Sequence, residues 1–147
     1  MTTGLKLRAE EPADLDVISA AVQDAVFTVR DAQWRKAARR FTIALQRYRW
    51  EAADAAGKGE RVPAVLAVEG VLSVRARKVA LGRPQAVASI LALRFEPAAE
   101  PPGGVLVVIL AGGGEIAVEV ECVELVLGDI GEVREALARP DHDSTPD

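Results

Sequence analysis

The chain reads as an α+β domain built mostly from antiparallel β-strands, and three observations carry that reading. Near the start, Leu15, Ile18 and Val22 recur at helical spacing and form one apolar stripe. From residue 25 the apolar period changes to two, in about seven short runs separated by glycine, proline or charged turns. Successive runs are neighbours in sequence, and such neighbours mostly pair antiparallel. The expected architecture is a strongly curved sheet or partly open barrel, with the helix over one face or end.

Each element has its own justification. Leu5-Lys-Leu-Arg-Ala alternates like a short strand. Glu10-Glu-Pro-Ala-Asp then opens the helix, because Pro12 suits a first helical position while Asp14 and Asp16 favour the positive end of the dipole. Ala25–Arg30, Gln33–Ala37 and Phe41–Trp50 read as strands, the last two joined by the basic turn Ala38-Arg39-Arg40. In the third of these Phe41, Ile43 and Leu45 read as core. Glu51–Arg61, with Gly57-Lys-Gly, is a polar loop. Val65–Leu81 is expected as one long β run with Leu66, Val68, Leu72 and Val74 on its apolar face. Its odd positions carry Glu69, Ser73, Arg75 and Arg77, and Gly82-Arg-Pro ends it. Val87–Phe95 resumes with Val87, Leu91, Leu93 and Phe95 in phase.

After the loop Pro97–Gly104, Val105–Leu110 is apolar on both faces, as a central strand is. Gly112-Gly-Gly turns the chain as a hairpin does. The return strand has Ile116, Val118, Val120 and Cys122 inside and Glu115, Glu119 and Glu121 outside. Its alternation slips at Val123-Glu124, which predicts a bulge or the strand's end. Asp129–Ala138 has the spacing of a short C-terminal helix, with Val133 and Leu137 on one face. Residues 1–139 are expected to form a single domain, and 140–147 a flexible polar tail.

Composition excludes more functions than it suggests. The longest apolar run falls short of the roughly 18 residues of a membrane span, and the start shows no secretory pattern. A lone Cys122 rules out an internal disulfide and suits a reducing compartment, so a cytoplasmic location without membrane contact is expected. His142 is the one histidine and sits in the tail, which leaves no histidine for a Ser-His-Asp or Cys-His site in the body of the chain. One histidine and one cysteine are too few for a zinc site. Ala111-Gly-Gly-Gly-Glu115 joins two strands rather than a strand and a helix, so it is not a phosphate loop. Glu119 and Glu121 are the carboxylates an acid/base or metal-dependent enzyme would use, but no sequence feature gathers them into a pocket. No catalytic residue, metal ligand or cofactor is expected.

The positive signal is charge. Residues 25–95 hold fourteen Lys/Arg and five Asp/Glu, a net +9, whereas 96–147 carry two against twelve, a net −10. Blocks of opposite sign either pair internally or face a partner. The densest cations are Arg35, Lys36, Arg39, Arg40, Arg47 and Arg49, interleaved with Trp34, Phe41, Tyr48 and Trp50 and extended by Arg75 and Arg77. They are the candidate partner- or anion-binding residues. The leading expectation is a non-catalytic domain that binds an acidic protein partner or a second copy of itself. An RNA- or phosphate-binding module is the alternative, which a pI near 5.1 disfavours. The opposing possibility is that Arg75, Arg77 or Arg94 pairs with Glu115, Glu119 or Glu121 across adjacent strands.

Several segments, taken in order, carry a resemblance. They are Leu5-Lys-Leu-Arg-Ala, Asp14-Leu-Asp-Val-Ile-Ser, Gln23-Asp-Ala-Val, Arg39-Arg-Phe and Arg47 with Trp50-Glu51. Arg61-Val, Leu93-Arg-Phe-Glu-Pro, Gly112-Gly-Gly-Glu-Ile, Val120-Glu-Cys, Leu127-Gly-Asp129 and Arg139-Pro-Asp-His142 continue the series. The chain resembles a family of small uncharacterised alphaproteobacterial proteins, a domain of unknown function. The resemblance spans nearly the whole chain and implies one domain in a bacterial cytoplasm, with no activity, cofactor or catalytic residue attached.

Overall fold

A computed structural model describes residues 4–49 and 60–130. Ten strands and one α-helix follow in chain order. Strand β1 (Lys6–Ala9) leads through a 3-10 turn (Pro12–Asp14) to helix α1 (Leu15–Val22). Then come β2 (Val26–Thr28), β3 (Ala32–Arg35), β4 (Arg40–Tyr48) and β5 (Arg61–Glu69). The chain continues through β6 (Val71–Arg77), β7 (Val87–Pro97), β8 (Gly104–Leu110), β9 (Glu115–Val120) and β10 (Leu125–Asp129). No helix among the described residues is long and apolar enough to cross a membrane.

All ten strands join one antiparallel sheet, in the order β1-β10-β5-β4-β2-β7-β8-β9-β6, with β3 paired to β4 beside that path. Strands β5 and β6 stand six places apart in this order, yet Gly70 alone separates them in the chain. Six strand spacings amount to roughly 29 Å, and the two steps from Glu69 through Gly70 to Val71 reach only about 7 Å. The sheet must therefore curl until its far end returns to β5. It is not closed: among the described residues β1 pairs only with β10, and β6 only with β9. One apolar core fills the curl, drawing Ile43 and Leu66 from one side, Leu106 and Val118 from the other, and Leu15, Ile18 and Val22 from α1. The helix also covers the edge of β7 beyond the short β2, where the Leu93 N–H donates to Ser19 Oγ at 2.9 Å.

Three expectations change. The strand count rises from about seven to ten: Lys6–Ala9 adds one to the runs after residue 25, the expected 65–81 run divides in two, and Leu125–Asp129 forms a strand of its own. Gly70 adopts φ +68°, a left-handed conformation that any side chain would resist, and it splits the expected long run into β5 and β6, which have different partners. Register shifts then leave Leu72 on β6 and Leu91 on β7 as extra residues, each 45% exposed. Alternation alone puts both in the core; the bulges rotate Val71 and Ile90 inward instead, and Val87 also faces solvent. The slip at Val123-Glu124 is the strand end, with Cys122 half-buried in the connection to β10. Asp129 closes β10 by pairing with Ala64, so it does not begin a helix. Residues 131–138 of that expected helix, the tail with His142, the boundary at residue 139, Trp50 and most of the 51–61 loop lie outside the described residues.

Candidate functional site

The candidate cations separate into three groups once the fold is known. Arg47 does not belong to a surface at all. Strand β4 alternates Phe41, Ile43, Leu45 and Arg47 inward, and Arg47 is fully buried. Its Nε and Nη2 donate to the two carboxylate oxygens of Asp129 at 2.8 and 3.1 Å. The pair reaches across the intervening β5 at Ala64, whose short side chain leaves room. Asp129 Oδ2 also accepts the Leu5 N–H at 2.8 Å, so one ion pair binds β1, β10 and β4 together. The expectation of Arg47 as a partner-binding residue is corrected: a cation in phase with core residues at a strand end is held inside when a carboxylate arrives from another strand.

A second group is exposed but matched. Arg39 pairs with Glu121, Arg40 with Glu69 at 2.7 Å, Arg49 with Glu60 at 2.9 Å and Arg77 with Glu115 at 3.3 Å. Arg94 pairs with Glu96 beside it, and Glu119 accepts from Ser73. Arg39, Arg47 and Arg77 thus take acidic partners from the −10 block, and the two charge blocks meet within one chain.

The third group has no acidic partner among the described residues. Apart from Lys6, Arg8 and Arg61 elsewhere on the sheet, it comprises Arg35, Lys36 and Arg75 together with Arg30, Lys78 and Arg83, which the candidate set left out. Arg35 is held by a neutral contact, Nη2 donating to Gln33 Oε1 at 2.9 Å. These six cluster around one feature. Strand β3 pairs on one edge with β4, and β6 pairs on one edge with β9, so the two strands turn uncovered edges toward the same opening. Between them lies a groove of about 220 Å³ with an apolar lining, including Ala32, Trp34, Val74, Ala76, Val79 and Ile116. Every one of the six cations is within two residues of a lining residue.

Both ends of the groove are tied. At one end the Val71 N–H donates to the Arg39 carbonyl at 2.9 Å, pinning the start of β6 to the β3–β4 turn. At the other, the 78–86 loop accepts from the 3-10 turn after β2: Val29 N–H to Ala86 O and Arg30 N–H to Pro84 O, each at 2.9 Å. Arg39 and Lys78, one at each end, have left-handed backbones at φ 55° and 57°. Such conformations cost on the order of 1–2 kcal/mol in a non-glycine residue. Gly114 packs on the Lys78 carbonyl so closely that a Cβ there would lie 2.6 Å from the oxygen.

Among the described residues no group of three or more His, Cys, Asp or Glu can hold a metal ion, and the groove is lined by apolar residues with cations beside them in the chain. A second hollow of about 260 Å³ opens beside the single β2–β4 pair Val26↔Gln46, lined by Thr28, Ala44 and Val87 among others, without a basic side chain. The sequence reading found the cations but missed the groove. The signal was Gly70: a glycine inside a strand pattern marks a break or bulge, and it frees β6 to form the groove's far wall.

The family model described as "Protein of unknown function (DUF2948)" matches residues 5–142, and the chain belongs to that family. No curated protein and no solved structure matches it.

Proposed function

We propose that this DUF2948 domain is a non-catalytic protein-interaction module whose contact face is the open side between β3 and β6, and that its partner there presents carboxylates. The observation that carries the proposal is selective pairing. Arg39, Arg40 and Arg77 beside the groove, and Arg49 away from it, are answered by acids, whereas Arg30, Arg35, Lys36, Arg75, Lys78 and Arg83 around it have no acidic partner among the described residues. Unanswered charge of one sign beside exposed apolar surface is the composition of a binding face rather than of a merely solvated one. A second copy of the chain qualifies as partner, since Glu100 and Glu124 are exposed and residues 131–147 carry five acids against two bases. Nucleic acid fits less well: Phe41, one of the aromatics interleaved with the cations, is buried and offers no face for base stacking.

Amide NMR shifts during titration with a hexaglutamate peptide test the reading. Shifts confined to β3, the 36–39 turn, β6 and the 78–86 loop, fading as salt rises, are the expected result. Shifts scattered over the surface, or none at low salt, overturn it. Sedimentation of the protein alone at low and high salt tests the self-association version, which a monomer under both conditions removes.

A further inference from the structure

We infer that the partner binds as an extended segment, adding as a strand to the free edge of β6 with apolar residues facing the groove and acidic residues facing out. The inference rests on the reading above and specifies its ligand.

The first support is the edge itself. Strand β6 runs seven residues, and only its first, Val71, gives its N–H to the neighbouring hairpin. From Ser73 onward the side away from β9 has no backbone partner among the described residues. An unpaired row of N–H and C=O groups is a template for another strand. The equivalent edge of β7 is covered by α1 through Ser19; this one is not.

The second support is charge. Arg75 and Arg77 stand exposed on β6. Cations on an edge guard it against pairing with a second copy of the same strand, because like charges directly opposite destabilise a sheet. They do not guard it against an acidic strand. The occupied edge of β6 shows what chemistry this strand takes: β9 places Ile116, Val118 and Val120 inward, while Glu115 meets Arg77 and Glu119 accepts from Ser73. On the free edge Arg75 has no acid, and the side chains of Val74 and Ala76 face the groove. A segment alternating aliphatic and acidic residues satisfies both requirements.

The experiment uses the intact labelled protein and an end-capped peptide of the β9 sequence Glu115–Glu121. Two controls accompany it: the same peptide N-methylated at alternate residues, which keeps its charge but removes outward hydrogen-bond donors, and a version with every Glu changed to Lys. The parent peptide is expected to shift and protect β6 amides from exchange. N-methylation should weaken it about tenfold or more, the loss of one or two backbone hydrogen bonds, and the Lys version should not bind. Equal binding of the parent and methylated peptides overturns strand addition while leaving the acidic-partner reading intact. Strand addition is likewise overturned, and the acidic partner kept, if hexaglutamate binds and the strand peptide does not. If neither binds, both readings fall together.

Discussion

Two regions of this sheet hold arginines from the same basic stretch in opposite ways. Around β4, β10 and β1, Arg47 is enclosed, bidentate to Asp129, and its partner is tied to the Leu5 backbone. Around β3 and β6, Arg35 and Arg75 stand in solvent beside an apolar groove, with no ion pair among the described residues. Twelve residues separate Arg35 from Arg47 along the chain. Strand phase decides the difference: β4 turns Arg47 to the same side as Leu45, while β3 turns Arg35 away from the groove that Trp34 lines. A basic run read as one surface is thus divided between a buried structural clamp and an exposed rim, and only the second belongs to the proposed contact face.

The largest expected effect breaks the clamp. Arg47→Met strands a buried carboxylate and is expected to cost about 3–5 kcal/mol, read from urea unfolding; Arg47→Met with Asp129→Leu should recover much of it. A loss below about 1 kcal/mol would show that the pair does not hold the three strands. Next comes the groove's end. Gly114→Ala drives a Cβ toward the Lys78 carbonyl and should cost about 1–3 kcal/mol, again by urea unfolding. It should also move the amide resonances of Lys78 and Val79 more than those of β4.

Exposed pairs are expected to matter least to folding. Arg40→Ala breaks an ion pair that is half in solvent, and a change within about 1 kcal/mol is expected. Beside Arg47→Met it measures what burial adds to the same chemistry. The smallest stability effect per site belongs to the triple change Arg35→Glu, Lys36→Glu and Arg75→Glu, which touches no ion pair among the described residues and should leave unfolding within about 0.5 kcal/mol per site. The same protein should lose hexaglutamate binding, chiefly through a slower association rate in stopped-flow measurements. Retained binding at unchanged stability would remove the rim from the contact face.

The fold was legible where periodicity and turn chemistry agree. Pro12, the acids after it and the stripe Leu15, Ile18, Val22 specify α1, and the β8–β9 hairpin follows from a glycine turn between two alternating runs. Both signals are local, so they are written in consecutive residues. Leu72 and Leu91 were misplaced because a bulge belongs to the pairing of two strands rather than to either one. The site was half legible. Cations are visible in any sequence, but whether each has met a carboxylate depends on chain folding over distances such as the 82 residues between Arg47 and Asp129.

By itself, then, the sequence determined the antiparallel character of the sheet, its one helix in the body, the hairpin turns and the separation of charge into two blocks. These follow from side-chain period, backbone preference and composition, which act over a few residues. Tertiary structure decided the rest: the curl that returns β6 to β5, the capture of Arg47 by Asp129, and the groove left between two unpaired edges. Those depend on which strands become neighbours, and that choice rests on the packing of the whole core, with contributions from every strand that no single segment contains.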